Sequence, residues 1–140
     1  MTRDEIVDLF KRREAATNAQ DAEALVALYA EDAVVQSPLG GTHQGRIAIR
    51  AVVEAFFDAF SDATVTTDNL IIDGDQIVQV VTMSGTDTGG LMGMAASGKP
   101  TQLPMVFVCR VADGCITHER RIYDFTGMLV QVGVLKARPA

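Results

Sequence analysis

Glu119, Arg121 and Tyr123 stand two residues apart within Cys115-Ile116-Thr117-His118-Glu119-Arg120-Arg121-Ile122-Tyr123-Asp124, a β-rich run dense in ionisable groups. Side chains alternate across a strand, so these three share one face, and His118, Arg120, Ile122 and Asp124 share the other. A carboxylate and a guanidinium at this spacing reach each other as an ion pair. In one reading Arg121 holds Glu119 as a base, and Tyr123 donates a hydrogen bond to a substrate oxygen. In the other the two charges form a buried structural pair, because a buried charge is costly unless it is matched. Direct contact of Arg121 with a ligand carboxylate or phenolate is a third use of the same group. Alternation alone does not decide which face points inward.

The run is the second arm of a hairpin. Leu103 to Val111 forms the first arm, and Asp113-Gly114 between them is a strong tight-turn signal, since the turn needs positive φ. The first arm is almost wholly apolar, which predicts cover on both faces. Upstream, Thr2 with Glu5 makes a capping box for a helix carrying Ile6, Leu9, Phe10 and Ala16. Arg13 lies on or near that apolar face with no evident partner. Asn18-Ala19-Gln20 breaks the pattern. Asp21 then caps a short helix whose apolar side is Ala24, Leu25, Leu28 and Tyr29. Ala33 to Ser37 reads as a strand stopped by Pro38, and 39–45 as a loop with three glycines. Arg46 to Phe60 is expected to be the longest helix, with Ile49, Val52, Val53, Phe56 and Phe60 on its stripe. Val65 to Ile72 and Gln76 to Thr88 are strands joined at Asp73-Gly74-Asp75, with Gly85 marking a bulge or bend. Gly89 to Gly98 forms a rim, and Gly127 to Ala140 a partly apolar tail. Helices first and antiparallel strands second is the α+β pattern, and one domain over 1–140 is expected. A sheet bent around a helix leaves a conical cavity suited to a small molecule.

Composition narrows the partners. The chain has 140 residues, 48% hydrophobic and 21% charged, with a formal net charge of −6. This is the balance of a globular protein, and it argues against nucleic acid and gives no attraction to anionic membrane. No apolar run approaches the ~20 residues that span a bilayer. No secretory leader pattern follows Met1, so a cytoplasmic location is the default expectation. Cys109 and Cys115 could face each other across the hairpin, but in that setting two reduced thiols are expected. Neither His43 nor His118 sits in a metal-ligand spacing, so no metal and no cofactor are expected. Met92, Met94 and Met105 read as adaptable wall.

Asn18 to Asp21, Ala27 to Gly40 and Gly45 to Arg50 resemble bacterial ketosteroid isomerases. Gly85-Thr86-Asp87-Thr88-Gly89, Ser97-Gly98-Lys99, Asp113 to Ile116, Tyr123-Asp124 and Gln131-Val132-Gly133 resemble the SnoaL-type polyketide cyclases. The likeness covers nearly the whole chain and implies the NTF2-like superfamily, an α+β cone of N-terminal helices on a curved antiparallel sheet. That cone hosts isomerases, cyclases, epoxide hydrolases and non-catalytic binding domains. The catalytic positions implied by the resemblance are altered. Ser37 stands where the isomerases carry their base aspartate, and Arg13 and Phe107 stand at their oxyanion pair. Arg121 stands where cyclases and limonene-type epoxide hydrolases carry an aspartate. The hydrolases' Arg-x-Asp falls on Thr88 and Gly90. Asp87 replaces the histidine of the cyclase-type Gly-Thr-His-Thr-Gly.

The resemblance also implies the strand parity: Glu119, Arg121 and Tyr123 inward, beside Leu103, Met105, Phe107 and Cys109. Val35, Ser37, Val53, Phe56, Phe60 and Met92 complete the wall, and Asp87 joins it if Gly85 bulges the strand. His118 falls on the outer face, and Asp124 is expected to cap a turn. The expected catalytic set is Glu119, Arg121 and Tyr123. The expected ligand is a small hydrophobic carbonyl or polycyclic compound, turned over by cofactor-free acid–base chemistry; the alternative is a non-catalytic binding or dimerisation module. Val106, Val108, Arg110, Arg120 and Ile122 on the outer sheet face suit a homodimer, the usual arrangement in the superfamily.

Overall fold

The computed structural model describes residues 1–136 and 138. Helix α1 (Arg3–Asn18) starts at the capping box: Thr2 Oγ1 accepts from the Glu5 amide, and the Glu5 carboxylate accepts from the Thr2 amide. Helix α2 (Ala22–Val26) is capped by Asp21, whose carboxylate accepts from the Ala24 amide at 3.0 Å. Strands β1 (Tyr29–Ser37) and β2 (Gly41–Gln44) precede α3 (Arg46–Ala59). Then come β3 (Thr64–Asp73), β4 (Gln76–Thr86), β5 (Pro100–Ala112), β6 (Cys115–Tyr123) and the short helix α4 (Phe125–Gln131). The six strands form one curved sheet in the order β2-β1-β6-β5-β4-β3, with only the β1–β6 pair parallel. The α+β cone expected from the sequence is the fold. No described helix is long and apolar enough to cross a membrane.

The buried core lies between the sheet's concave face and the helices. Ile6, Leu9 and Phe10 of α1, and Ile49, Val53 and Phe57 of α3, pack with Val35, Ile77, Val81, Leu103 and Ile116. The last hairpin turns at Asp113-Gly114, both with positive φ (52° and 80°), as that turn demands. β5 alternates buried and exposed residues along its length, so its apolar arm is covered on one face only. Val108, on the uncovered face with Arg110, Arg120 and Ile122, is 38% exposed. Helices pack on one side of this sheet, and half of β5 is left facing out despite its composition.

Other local expectations shift. The longest helix is α1, with 16 residues against 14 in α3. Tyr29 is the first residue of β1, not part of the second helix, and is fully buried. The loop after Pro38 contains β2, which pairs His43 with Val35 and Gly41 with Ser37. Gly85 keeps regular pairing with Thr101, so it is not a bulge. Its missing side chain admits Phe60, whose Cβ would lie 3.2 Å from a Cβ there. The ladder irregularity of this hairpin falls on β3, between Thr67 and Asn69. The tail contains α4, whose N-cap is Asp124, accepting from the Gly127 amide at 2.8 Å. Cys109 lies opposite Glu119 and Cys115 opposite Ala112, so the two thiols do not meet and both are free. Residues 137, 139 and 140 of the tail lie outside the described residues.

The segment after β4 is pinned to the end of α3. The amides of Thr88 and Gly89 both donate to the Ala59 carbonyl, at 3.0 and 3.1 Å. A Cβ on Gly89 would fall 1.8 Å from the Asp58 carbonyl oxygen, a backbone atom that cannot swing aside. Gly89→Ala should therefore lower stability by about 1–3 kcal/mol, the usual cost of forcing atoms into a filled site. A thermal melt within 1 °C of wild type would show that the backbone yields freely.

Candidate functional site

The inward side chains of β6 occupy two layers. The deeper is built on Glu119, which is 1% exposed. Its Oε1 accepts from Arg13 Nη2 at 2.6 Å and from the Tyr29 hydroxyl at 2.7 Å, and its Oε2 accepts from Arg121 Nε at 2.7 Å. Arg13 also donates to Gln79 Oε1 at 2.8 Å, and its guanidinium lies 4.1 Å from the centre of the Phe107 ring. Gln79 passes the chain on to Thr67 Oγ1, which donates to Glu14. Burial by itself would raise the Glu119 carboxyl. The charges of Arg13 and Arg121, with hydrogen bonds from Arg121 and Tyr29, outweigh it and hold the group down to about 2. Burial pushes the Tyr29 phenol up to about 12, against the opposing pull of Arg13.

The two readings offered for Glu119 are a base held by Arg121 and one half of a buried structural pair, and its geometry is that of a buried pair. It accepts from Arg13, Tyr29 and Arg121, and at 4.0 Å from the Cys109 thiol, and it does not line the cavity described next. A carboxylate held this low has little driving force to take a proton at neutral pH. Its visible effect is to orient Arg121.

Above this layer is a cavity of ≈ 730 Å³. Phe56 and Ala59 of α3, with Phe60 just beyond its end, form one wall, and Met83, Leu103 and Met105 of the sheet form the other. Leu91, Met92 and Gly93 stand at the rim, and Met128 of α4 closes a side. Of the expected site residues, Arg121, Tyr123, Ser37, Phe56, Phe60, Met92, Leu103 and Met105 are brought together on this cavity. Val53 and Phe107 are not. Val53 is buried in the core, and Phe107 lies beneath Arg13. Asp87 is also corrected: with β4 unbulged at Gly85, its buried carboxylate accepts from the Gly90 and Ser97 amides at 3.0 and 2.9 Å. Burial opposes its charge, but the Ser97 and Gly90 amides prevail and keep it below the ordinary carboxylate range. Asp87 shapes the rim segment and does not face the ligand space.

The polar groups left on the wall are few. Arg121 is only 14% exposed; its Nε is committed to Glu119, while Nη1 and Nη2 have no acceptor among the described residues. Burial would weaken its charge, but Glu119 more than compensates and raises the guanidinium further above its usual range. Tyr123 packs edge-on against Phe125, and its hydroxyl has no partner among the described residues. Ser37, His43 and Asp58 complete the polar lining. Chemically this is a mostly apolar pocket with a cation and a hydroxyl group among its lining residues, fit to hold an anionic or polarised oxygen.

The sequence signal for Arg13 was present, an arginine on a buried stripe. Its partner is 106 residues away, so spacing did not reveal it. Tyr29 reads from sequence as part of a helix, and His43 as a loop residue able to reach the cavity mouth or simply exposed; the structure puts Tyr29 on β1 and His43 on β2, lining the cavity.

Solved structures with the same fold include TsrD from Streptomyces laurentii (24% identity, TM-score 0.86, 96% of this chain and 99% of that one). IdmH from Streptomyces antibioticus, described as a candidate polyketide cyclase, shares 29% identity at TM-score 0.76, over 91% of this chain and 97% of its own. A protein of ketosteroid isomerase-like fold from Catenulispora acidiphila matches at 22% identity and TM-score 0.80, over 94% and 98% of the two chains. No curated protein matches the sequence. The sequence profile of the SnoaL-like polyketide cyclases matches residues 7–132, from the first turns of α1 to the end of α4. Matched over nearly its whole length, the chain belongs to the SnoaL-like polyketide cyclase family.

Proposed function

We propose that the cavity binds a hydrophobic carbonyl or polycyclic compound of polyketide type, with an enolate, phenolate or carboxylate oxygen against Arg121 and Tyr123. The observation that carries this reading is Arg121: Glu119 holds its Nε, so two terminal N–H₂ groups are fixed and unshared on an apolar wall. A cation held this way needs no reorganisation to meet negative charge that develops on a substrate oxygen. The reaction best served is cofactor-free isomerisation or cyclisation through an enolate. A non-catalytic binding module is the second reading. It is favoured by Ser37, Phe107 and Arg121 standing where related enzymes carry acidic groups, and by Glu119 being locked.

The chain has no tryptophan and two tyrosines, so the emission of an aromatic ligand is read against a low background. Titration with 2-naphthoate should give saturable binding, and Arg121→Gln should weaken it roughly 10- to 100-fold, the loss of a charge-assisted hydrogen bond. Tyr123→Phe, which leaves the Glu119 layer intact, should weaken it by a few-fold. Unchanged affinity in both variants would remove Arg121 and Tyr123 from the site. Saturable binding without turnover across a panel of enolisable ketones would favour the module.

A further inference from the structure

We propose that Asp87 is the positioning residue of a cap over the cavity mouth, one that sets which aromatic ring systems enter and how fast they leave. The proposal rests on the reading of the cavity as a ligand site and deepens it. Between β4 and β5 the chain runs from Thr88 to Lys99 without a helix or strand. Asp87 closes that segment at its neck, from both ends. Its Oδ1 accepts from the Gly90 amide at 3.0 Å and its Oδ2 from the Ser97 amide at 2.9 Å. Its own amide donates to the Lys99 carbonyl at 2.9 Å, and its carbonyl accepts from the Gly98 amide at 2.8 Å. One buried residue thus ties the start of the segment to its end. Two of the four bonds are to an ionised oxygen, which makes them the stronger ones.

Inside the neck the segment is held by little else. Thr88 and Gly89 are fixed to the Ala59 carbonyl, so the chain can move only beyond them. Between Gly90 and Ser97 the one backbone-to-backbone bond among the described residues runs from the Met94 amide to the Leu91 carbonyl, at 2.9 Å. Leu91 is buried, but residues 92–99 are all exposed, Met92 at 53%. A segment with one buried side chain and few backbone bonds opens at low cost. It also borders the mouth. Leu91, Met92 and Gly93 line the cavity, and the exposed lining residues across from them are Leu39 after β1 and Ala51 and Ala55 of α3. Those borders belong to a hairpin and a helix, so the cap is the border that moves without breaking an element. The cavity, at ≈ 730 Å³, has room for four fused rings, which leaves discrimination by size to the mouth. While the neck holds, Leu91 stays seated and a large ligand waits for the cap to open.

Stopped-flow fluorescence with 2-naphthoate and the four-ring pyrene-1-carboxylate tests this, at a temperature where each variant is fully folded. Wild type should take up the four-ring acid more slowly than the two-ring acid. Asp87→Asn removes the charge and turns an N–H₂ toward one of the two amides. It should narrow the gap in uptake rates by about tenfold or more and speed 2-naphthoate release by about tenfold, the effect of one lost charge-assisted hydrogen bond on an opening equilibrium. Leu91→Ala keeps the neck but unseats the cap. It should shift both rates in the same direction, and it carries the test if Asp87→Asn does not fold. Ile6→Val, buried on α1 and off the cavity wall, lowers stability without touching the cap and should leave the rates within about twofold. Equal uptake of the two acids by wild type, or unchanged rates in either cap variant, overturns the proposal. An equal shift in Ile6→Val also overturns it, since the effect would then be one of general stability. If 2-naphthoate still binds wild type in those cases and Arg121→Gln weakens it, the site stands and only the cap falls. If 2-naphthoate does not bind wild type, both readings fall together.

Discussion

Glu119→Gln should lower folding stability by about 3–5 kcal/mol, the cost of breaking a buried ion pair from one side. The melting temperature should fall by roughly 10–20 °C for a domain of this size. The substitution is nearly isosteric, so cavity formation is not the cause. Both carboxylate oxygens only accept, from Arg13 and Tyr29 on Oε1 and from Arg121 on Oε2. An amide puts an N–H₂ where one of those acceptors stood, pointing donor at donor, and leaves two guanidinium charges with no counter-charge. Removing Arg13 as well relieves one of them. The double variant Glu119→Gln/Arg13→Met should be less destabilised than the two single losses summed, with a coupling of at least about 1 kcal/mol. Chemical denaturation of the four proteins measures this directly. A single-variant loss below about 1 kcal/mol would mean that the triad contributes little to the fold, and would reopen Glu119 as an acid–base group.

That role for Glu119 shows where sequence reading reaches its limit. The elements themselves were legible because their signals are local. The Thr2–Glu5 box, the Asp21 cap and the two Asp-Gly turns each act over two or three residues, and each appears where expected. Misread elements lost their local signal to tertiary context. β5 is apolar enough to be sandwiched, yet the helices cover one side only, so Val108 faces out. Tyr29 continues a helical pattern but is drawn into β1 by pairing with Ile116 and by its hydrogen bond to Glu119.

The site divides along the same line. Arg121 and Tyr123 follow from strand alternation once the inward face is chosen, and that choice came from family resemblance, not from the strand. The network that holds Glu119 is invisible at Glu119 itself. It depends on Arg13, three turns into the first helix, and on Tyr29, neither of which is near Glu119 in sequence. An arginine unexplained on an apolar face was the available clue, and a buried acid elsewhere in the chain is the only thing that makes such a residue tolerable. The resemblance implies acidic groups where Ser37 and Arg121 stand, and on this wall the two are a neutral and a cationic group.

Acid should remove the contribution of Glu119 in a defined window. Its carboxyl is held at about 2 in the folded chain against an ordinary 4.5, so the folded state binds its proton less readily than the unfolded one. A group lowered in this way stabilises the fold fully above its unfolded value, and the stabilisation is lost as pH falls from about 4.5 toward 2. The lowering corresponds to about 3 kcal/mol at neutral pH. Asp87, held low by the Ser97 and Gly90 amides, acts in the same direction, so the wild-type profile alone does not isolate Glu119. The difference between wild type and Glu119→Gln does. That gap should be constant from pH 7 to about pH 5.5 and then shrink by about 3 kcal/mol by pH 2. Once protonated, Glu119 is also a neutral group facing two guanidinium charges, so the two proteins converge. Urea denaturation at pH intervals measures the gap. A gap that stays constant down to pH 2 would show that the carboxylate is not held low by Arg13 and Arg121, and that the two layers on β6 are not linked through it.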